Sequence, residues 1–148
     1  MAYIPKHFTV PEFVPKEVYD IEGDAALAAH MQEAILEIAD QLREFYGDQC
    51  EVIINNWHNG GPFSQRGYRT PDCPEYKEGS MHAKGGAFDC DVYVNKVKIP
   101  ADKVRSDIMF NQDKFPNLYR MEAGVEWCHL DTKGFGVHPR NGISLFTS

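Results

Sequence analysis

The chain predicts an α+β fold, a small and mostly antiparallel sheet with flanking helices. Three observations carry that expectation. A long stretch places apolar residues at three- and four-residue steps, and "AFDCDVYV" alternates apolar with polar. The periodic segments also follow one another as helix, strand, loop, strand, helix, strand, strand, an order that suits an α+β domain better than a parallel α/β one.

Residues 1–21, rich in proline and aromatics, read as an arm of coil packed over the core. From about Asp24 the apolar positions Leu27, Met31, Ile35, Ile38, Leu42 and Phe45 predict one helix, with Gly47 as its stop. "EVIINN", Glu51 to Asn56, is short, β-branched and bounded by polar residues, so it predicts a buried strand. Residues 55–79 are polar and punctuated by Gly60-Gly61-Pro62, Gly67, Pro71 and Pro74. A loop of that length in a compact domain commonly lines a site. In Ala87–Val94 the alternation turns Phe88, Cys90 and Val92 to one face and Asp89, Asp91 and Tyr93 to the other. Pro100 and Ala101 open a second helix, with Val104 and Ile108 on its docked face, running to about Gln112. Two further strands are expected over Gly124–Asp131 and at "ISLFT".

At 148 residues with 43% hydrophobic content, the chain is expected to form one domain over 1–148. The 22 acidic against 15 basic side chains leave a formal charge of −7, and no cluster of Lys and Arg marks a phosphate-tracking surface, so nucleic acid is not an expected partner. The N-terminus lacks a charged leader followed by an apolar stretch, and no run approaches the ~20 apolar residues of a membrane span. A monomer made in the cytoplasm without a signal peptide is expected. Cys50, Cys73, Cys90 and Cys128 form no C-x-x-C pair and read as buried small hydrophobes, Cys90 and Cys128 pointing into the core.

The chemistry concentrates in "SMHAKGGAFD" and "EWCH". A catalytic zinc ion takes three imidazole or carboxylate ligands and keeps a position for water. His82, Asp89 and His129 supply that donor set. A hydrolytic site also needs a carboxylate that moves the proton of the water, and Glu126 is the candidate. On a regular strand, Glu126 and His129 would face opposite ways, so the chain must bend near Glu126, or Glu126 must sit in the loop entering the strand. Gly85 and Gly86 permit a tight turn between the His82 loop and the Asp89 strand. Arg69 can reach from the long loop to hold an oxyanion or a substrate carboxylate. Singly, each residue has a plainer reading: His82 as a hydrogen-bonded loop histidine, Asp89 as a solvent-facing strand carboxylate, His129 as a partly buried histidine bonded to a carbonyl. Their joint order is what points to a metal.

"SMHAKGGAFD" resembles the S-x-H-x-x-G-x-A-x-D signature of the zinc D-Ala-D-Ala carboxypeptidase and L-alanyl-D-glutamate endopeptidase family, and "EWCH" resembles its E-x-x-H. "GYRT" is similar to its G-Y-R segment, and "HFTVPEF" to the opening of its compact phage-borne members. The resemblance implies a hedgehog/D-Ala-D-Ala peptidase-like fold, Zn²⁺ on His82, Asp89 and His129, Glu126 as general base, Arg69 at the transition state and Ser80 near the substrate. It implies cleavage of peptidoglycan stem or cross-link peptides, and the compact build suggests a bacteriophage or bacterial lysin, phage-encoded or virion-associated, that acts on the cell wall. The loop 55–79 departs from the short connection of simpler members, and its Trp57, His58 and Tyr68 either contact substrate or pack. Asp131, two residues beyond His129, either orients that imidazole or faces solvent; His138 reads as a loop histidine. Two other classes stay open: a non-catalytic zinc module on the same fold, and a two-histidine, one-carboxylate Fe(II) oxidoreductase.

Overall fold

The computed structural model describes residues 3–148. Four helices flank a six-stranded sheet. In chain order the elements are α1 (Lys16–Glu22), α2 (Ala25–His30), α3 (Glu33–Tyr46), β1 (Cys50–Ile53), β2 (Ala87–Val94), β3 (Val97–Ile99), α4 (Ala101–Met109), β4 (Arg120–Glu122), β5 (Cys128–Asp131) and β6 (Ser144–Phe146). The sheet runs β1-β2-β5-β4-β6 with β3 hairpinned onto β2, and every pairing is antiparallel except β4 with β6. The α+β class and the mostly antiparallel sheet are therefore as expected.

Burial explains the layering. The inward face of α3 sets Ile35, Ile38 and Leu42 against Phe88, Cys90 and Val92 of β2, and all six are sealed from solvent. Each large side chain buried this way contributes roughly 1.5–3 kcal/mol of apolar transfer. Cys128 joins Cys90 in that core, as predicted, and all four cysteines are free thiols. Among the described residues, no helix is long and apolar enough to cross a membrane.

Four local expectations are corrected. The N-terminal arm packs on the core but is not coil: a 3-10 turn at Val10–Glu12 and the helix α1 occupy it, with Phe13, Val14 and Val18 buried. Its anchor is the buried Asp40 of α3, which accepts from the Tyr3 hydroxyl (2.5 Å) and from the backbone N–H groups of Lys6 (2.8 Å) and His7 (3.1 Å). The single helix expected from Asp24 is two, because Met31 and Gln32 are extended. The apolar period survives the break, since Leu27, Met31 and Ile35 still face one core. At the break Gln32 N–H donates to Gly85 O at 2.9 Å, a bond that a continuous helix would have used internally.

The strand expected over Gly124–Asp131 begins only at Cys128. The buried Arg105 of α4 accounts for this: its guanidinium donates to the carbonyls of Val125 and Trp127, both at 3.0 Å, so that stretch bonds to a side chain and not to a strand. β3 and β4 were not anticipated. The β2–β3 turn is Asn95-Lys96, both at positive φ, in place of the Asn-Gly that normally signals such a hairpin. β4 has only three residues.

Gly85 (φ +69°) is where the His82 loop meets the α2–α3 junction, and a Cβ there would run into the His30 carbonyl. Gly85→Ala combines left-handed strain with a backbone clash and is expected to cost at least about 2 kcal/mol. A thermal melt of the purified variant measures this; a midpoint equal to that of the wild type would contradict the packing described.

Candidate metal centre

The site begins with a register. In the β2–β5 ladder Asp89 lies directly across from His129. Asp89 N–H points away from β5 and donates to Arg66 O at 2.6 Å. The pair is thus a non-hydrogen-bonded one, in which antiparallel Cα atoms approach to about 4.5 Å and the side chains meet. His82 arrives from the glycine loop: Gly85 N–H donates to His82 O (3.3 Å) and Gly86 N–H to Met81 O (2.8 Å), a tight turn that sets the imidazole beside the β2 strand. His82, Asp89 and His129 are all buried, and one donor atom from each lies within 4.8 Å of the others.

Hydrogen bonds outside the trio set the tautomers. His82 Nδ1 lies 2.8 Å from Gly67 O, and a carbonyl only accepts, so Nδ1 carries the proton. The lone pair on His82 Nε2 then faces Asp89 Oδ1 at 3.3 Å, an arrangement that a cation between the two atoms satisfies. His129 Nε2 lies 2.8 Å from Asp131 Oδ2, and its Nδ1 lies 2.8 Å from Asp89 Oδ1. With Nε2–H given to Asp131, Nδ1 is the nitrogen available to a metal. Asp131 is fully buried and held by Arg120, whose Nε and Nη2 donate at 3.0 and 2.8 Å. Of the two readings left open for Asp131, the orienting one is what the structure shows.

Burial by itself would raise the Asp89 carboxyl, but the hydrogen bond from His129 and the neighbouring His82 imidazole outweigh it and hold the group well below the usual carboxylate range. Burial would lower His129, and its bonds to Asp131 and Asp89 push it up to about 9. Asp131 moves down: burial opposes, and His129 and Arg120 prevail. In the metal-free protein, therefore, an imidazolium sits between two carboxylates. A metal ion would take the place of its Nδ1 proton, and the donor set of two imidazoles and one carboxylate fits zinc or iron(II).

A cavity of about 800 Å³ opens over the trio. Arg69 and Ser80 line it. Arg69 donates from Nη2 to Asp89 Oδ2 (3.1 Å) and from Nε to Gln65 O (2.8 Å). Tyr68 is not on the wall; its ring stacks on His30 with centroids 4.4 Å apart. Trp57 packs too, its Nε1–H donating to Val14 O at 3.0 Å, and His58 lies edge-on to it, away from the cavity. His138 is exposed in the loop before β6.

Glu126 lies in the loop entering β5, one of the two placements that the sequence left open. With the flanking carbonyls turned to Arg105, its side chain is exposed and is not part of the cavity wall. Sequence reasoning missed several wall residues. Arg120 and Glu122 come from the unanticipated β4, and Phe146 packs its ring under the Arg120 guanidinium (3.9 Å) and against His129 (5.5 Å).

Compared with known proteins, the chain matches no family model, no curated protein and no solved structure.

Two measurements check the centre. Metal must displace the His129 proton, so apparent affinity is expected to rise about tenfold per pH unit between pH 7 and 9 and to level off above, with about one proton released on binding. Calorimetry in buffers of different ionisation heat reads both. The metal-free protein runs the other way: the protonated ring stabilises it fully below the unfolded value of about 6.5 and ceases to do so as pH rises through about 9. Asp131→Asn, which loosens the hold of Arg120 and the orientation of His129, is expected to weaken metal binding roughly 10- to 100-fold in a chelator competition.

Proposed function

We propose that the protein is a zinc-dependent hydrolase of peptide bonds in bacterial peptidoglycan, of the D-Ala-D-Ala carboxypeptidase or L-alanyl-D-glutamate endopeptidase type. The observation that carries the reading is the buried His82–Asp89–His129 trio with both imidazole tautomers set by outside acceptors, at the floor of a cavity large enough for a peptide. The two motifs "SMHAKGGAFD" and "EWCH" support the choice of zinc and of wall peptides.

Zinc on these ligands would lower the pKa of a coordinated water toward neutrality, making a nucleophile available at physiological pH. The chain's own residues do the rest. The outer acceptors Gly67 O and Asp131 keep the two rings oriented, so the ligand geometry does not have to reorganise during the reaction. Arg69 lies against Asp89 on the cavity wall, where its guanidinium stabilises the oxyanion that forms at the scissile carbonyl, or binds a substrate carboxylate. Ser80, whose hydroxyl accepts from Ala83 N–H at 3.2 Å, faces the substrate from the same wall. The apolar faces of Trp127 and Phe146 suit the aliphatic parts of a stem peptide. In this reading the enzyme reaches the wall as a phage lysin or a virion-borne protein.

Purified peptidoglycan incubated with the zinc-loaded protein and analysed by mass spectrometry is expected to yield new stem-peptide fragments whose masses identify the bond. His82→Ala and a chelated control are expected to abolish them, with rates down at least about 1000-fold. One equivalent of zinc retained without fragments from any wall type would instead favour a non-catalytic zinc module. Iron recovered in place of zinc would favour the oxidoreductase.

A further inference from the structure

We infer that Glu122 of β4, and not Glu126, is the carboxylate that takes the proton from the attacking water. The inference rests on the hydrolase reading above and assigns the group that reading lacks.

Four observations converge on it. Glu122 is buried, 9% exposed, and lines the same cavity as the ligand trio, whereas Glu126 is exposed and lies off the wall. Strand alternation puts Glu122 on the same face as Arg120, two residues away, and Arg120 reaches across to Asp131. The β4–β5 register pairs Arg120 with Asp131 and Met121 with Leu130, and β4 continues to Glu122 on the His129 side of that pairing. Finally, among the described residues, Glu122 has no cation within ion-pair distance; its side-chain partner is the hydroxyl of Ser148, which donates to Oε2. The other buried carboxylates facing this region are compensated: Asp89 by Arg69 and the histidines, Asp131 by Arg120 and His129, Asp91 by Arg66 and Lys98. A buried acid without a cation is costly to keep for stability alone, and its position on the wall of a metal site marks it as chemical.

The step balances without further reagents. One proton of the water passes to a Glu122 oxygen as the water oxygen bonds to the carbonyl carbon. The C–N bond then breaks, and Glu122 returns that proton to the leaving amine, so one water is consumed and the carboxylate is regenerated.

The test compares wild type, Glu122→Gln and Glu126→Gln in two ways. Zinc-loaded protein is assayed on purified wall peptides, and the pH midpoint of the visible absorption band is followed after cobalt(II) replaces zinc. For E122Q the expected result is unchanged metal stoichiometry, a rate loss of at least roughly 100-fold and a midpoint shifted by about half a pH unit or more. E126Q is expected to change neither. Wild-type rate and midpoint in E122Q, or the loss and shift appearing in E126Q, would overturn the assignment and leave the hydrolase reading standing. A wild type that cleaves no wall peptide, with the cobalt midpoint moving only in E122Q, would remove the hydrolase reading and keep Glu122 at the water. Glu122→Asp, which retains the charge but retracts it, gives the same two readouts if E122Q folds poorly.

Discussion

The cross-strand pair Asp89–His129 is the constraint from which the site follows. Because the β2–β5 ladder sets these two residues opposite one another in a non-hydrogen-bonded pair, a carboxylate and an imidazole are forced together at one point of the sheet. Slipping β5 by one residue along β2 would send His129 into the core and bring Cys128 out. The hydrophobic face of β2, packed on α3, therefore protects the register and the candidate metal ligands at once.

Around that pair the electrostatics are arranged in alternating sign. Arg69 bonds Asp89, Asp89 bonds His129, His129 bonds Asp131, and Asp131 bonds Arg120, whose far side is covered by Phe146. A buried ion pair by itself is weak evidence for stability, since desolvation offsets much of the attraction. A continuous chain of this kind serves orientation better: each inner group is held between two partners of opposite sign, and the five side chains come from the long loop, β2, β5 and β4. The cavity wall is correspondingly composite, drawn from the long loop, the glycine turn and strands β4 to β6.

The long loop 55–79 shows how an irregular segment can still be well placed. Asn55 donates to Val14 O at 3.1 Å and accepts from Arg66 N–H at 2.9 Å, while Arg66 spans Asp91 and the Phe63 ring. These bonds satisfy backbone groups that a buried loop would otherwise leave unpaired. They also deliver Gly67 O to His82 and Arg69 to Asp89, so the loop works as part of the centre.

Periodicity was enough to read the α+β class and the Ala87–Val94 strand with its two faces, and donor chemistry to read the residue types of the trio, because side-chain period and donor chemistry are local properties of the chain. The break at Met31–Gln32 was not legible, since the apolar period runs through it and the competing hydrogen bond comes from Gly85, more than fifty residues away. Nor was the late start of the β5 strand, which depends on Arg105 of α4 capturing two carbonyls. The same capture turned Glu126 to solvent, and a three-residue strand that no pattern announced brought Glu122 and Arg120 to the wall. Which residues can bind a metal was thus written in the sequence. Which carboxylate stands beside them was decided by the tertiary structure, because it depends on hydrogen bonds and registers between segments that are distant along the chain.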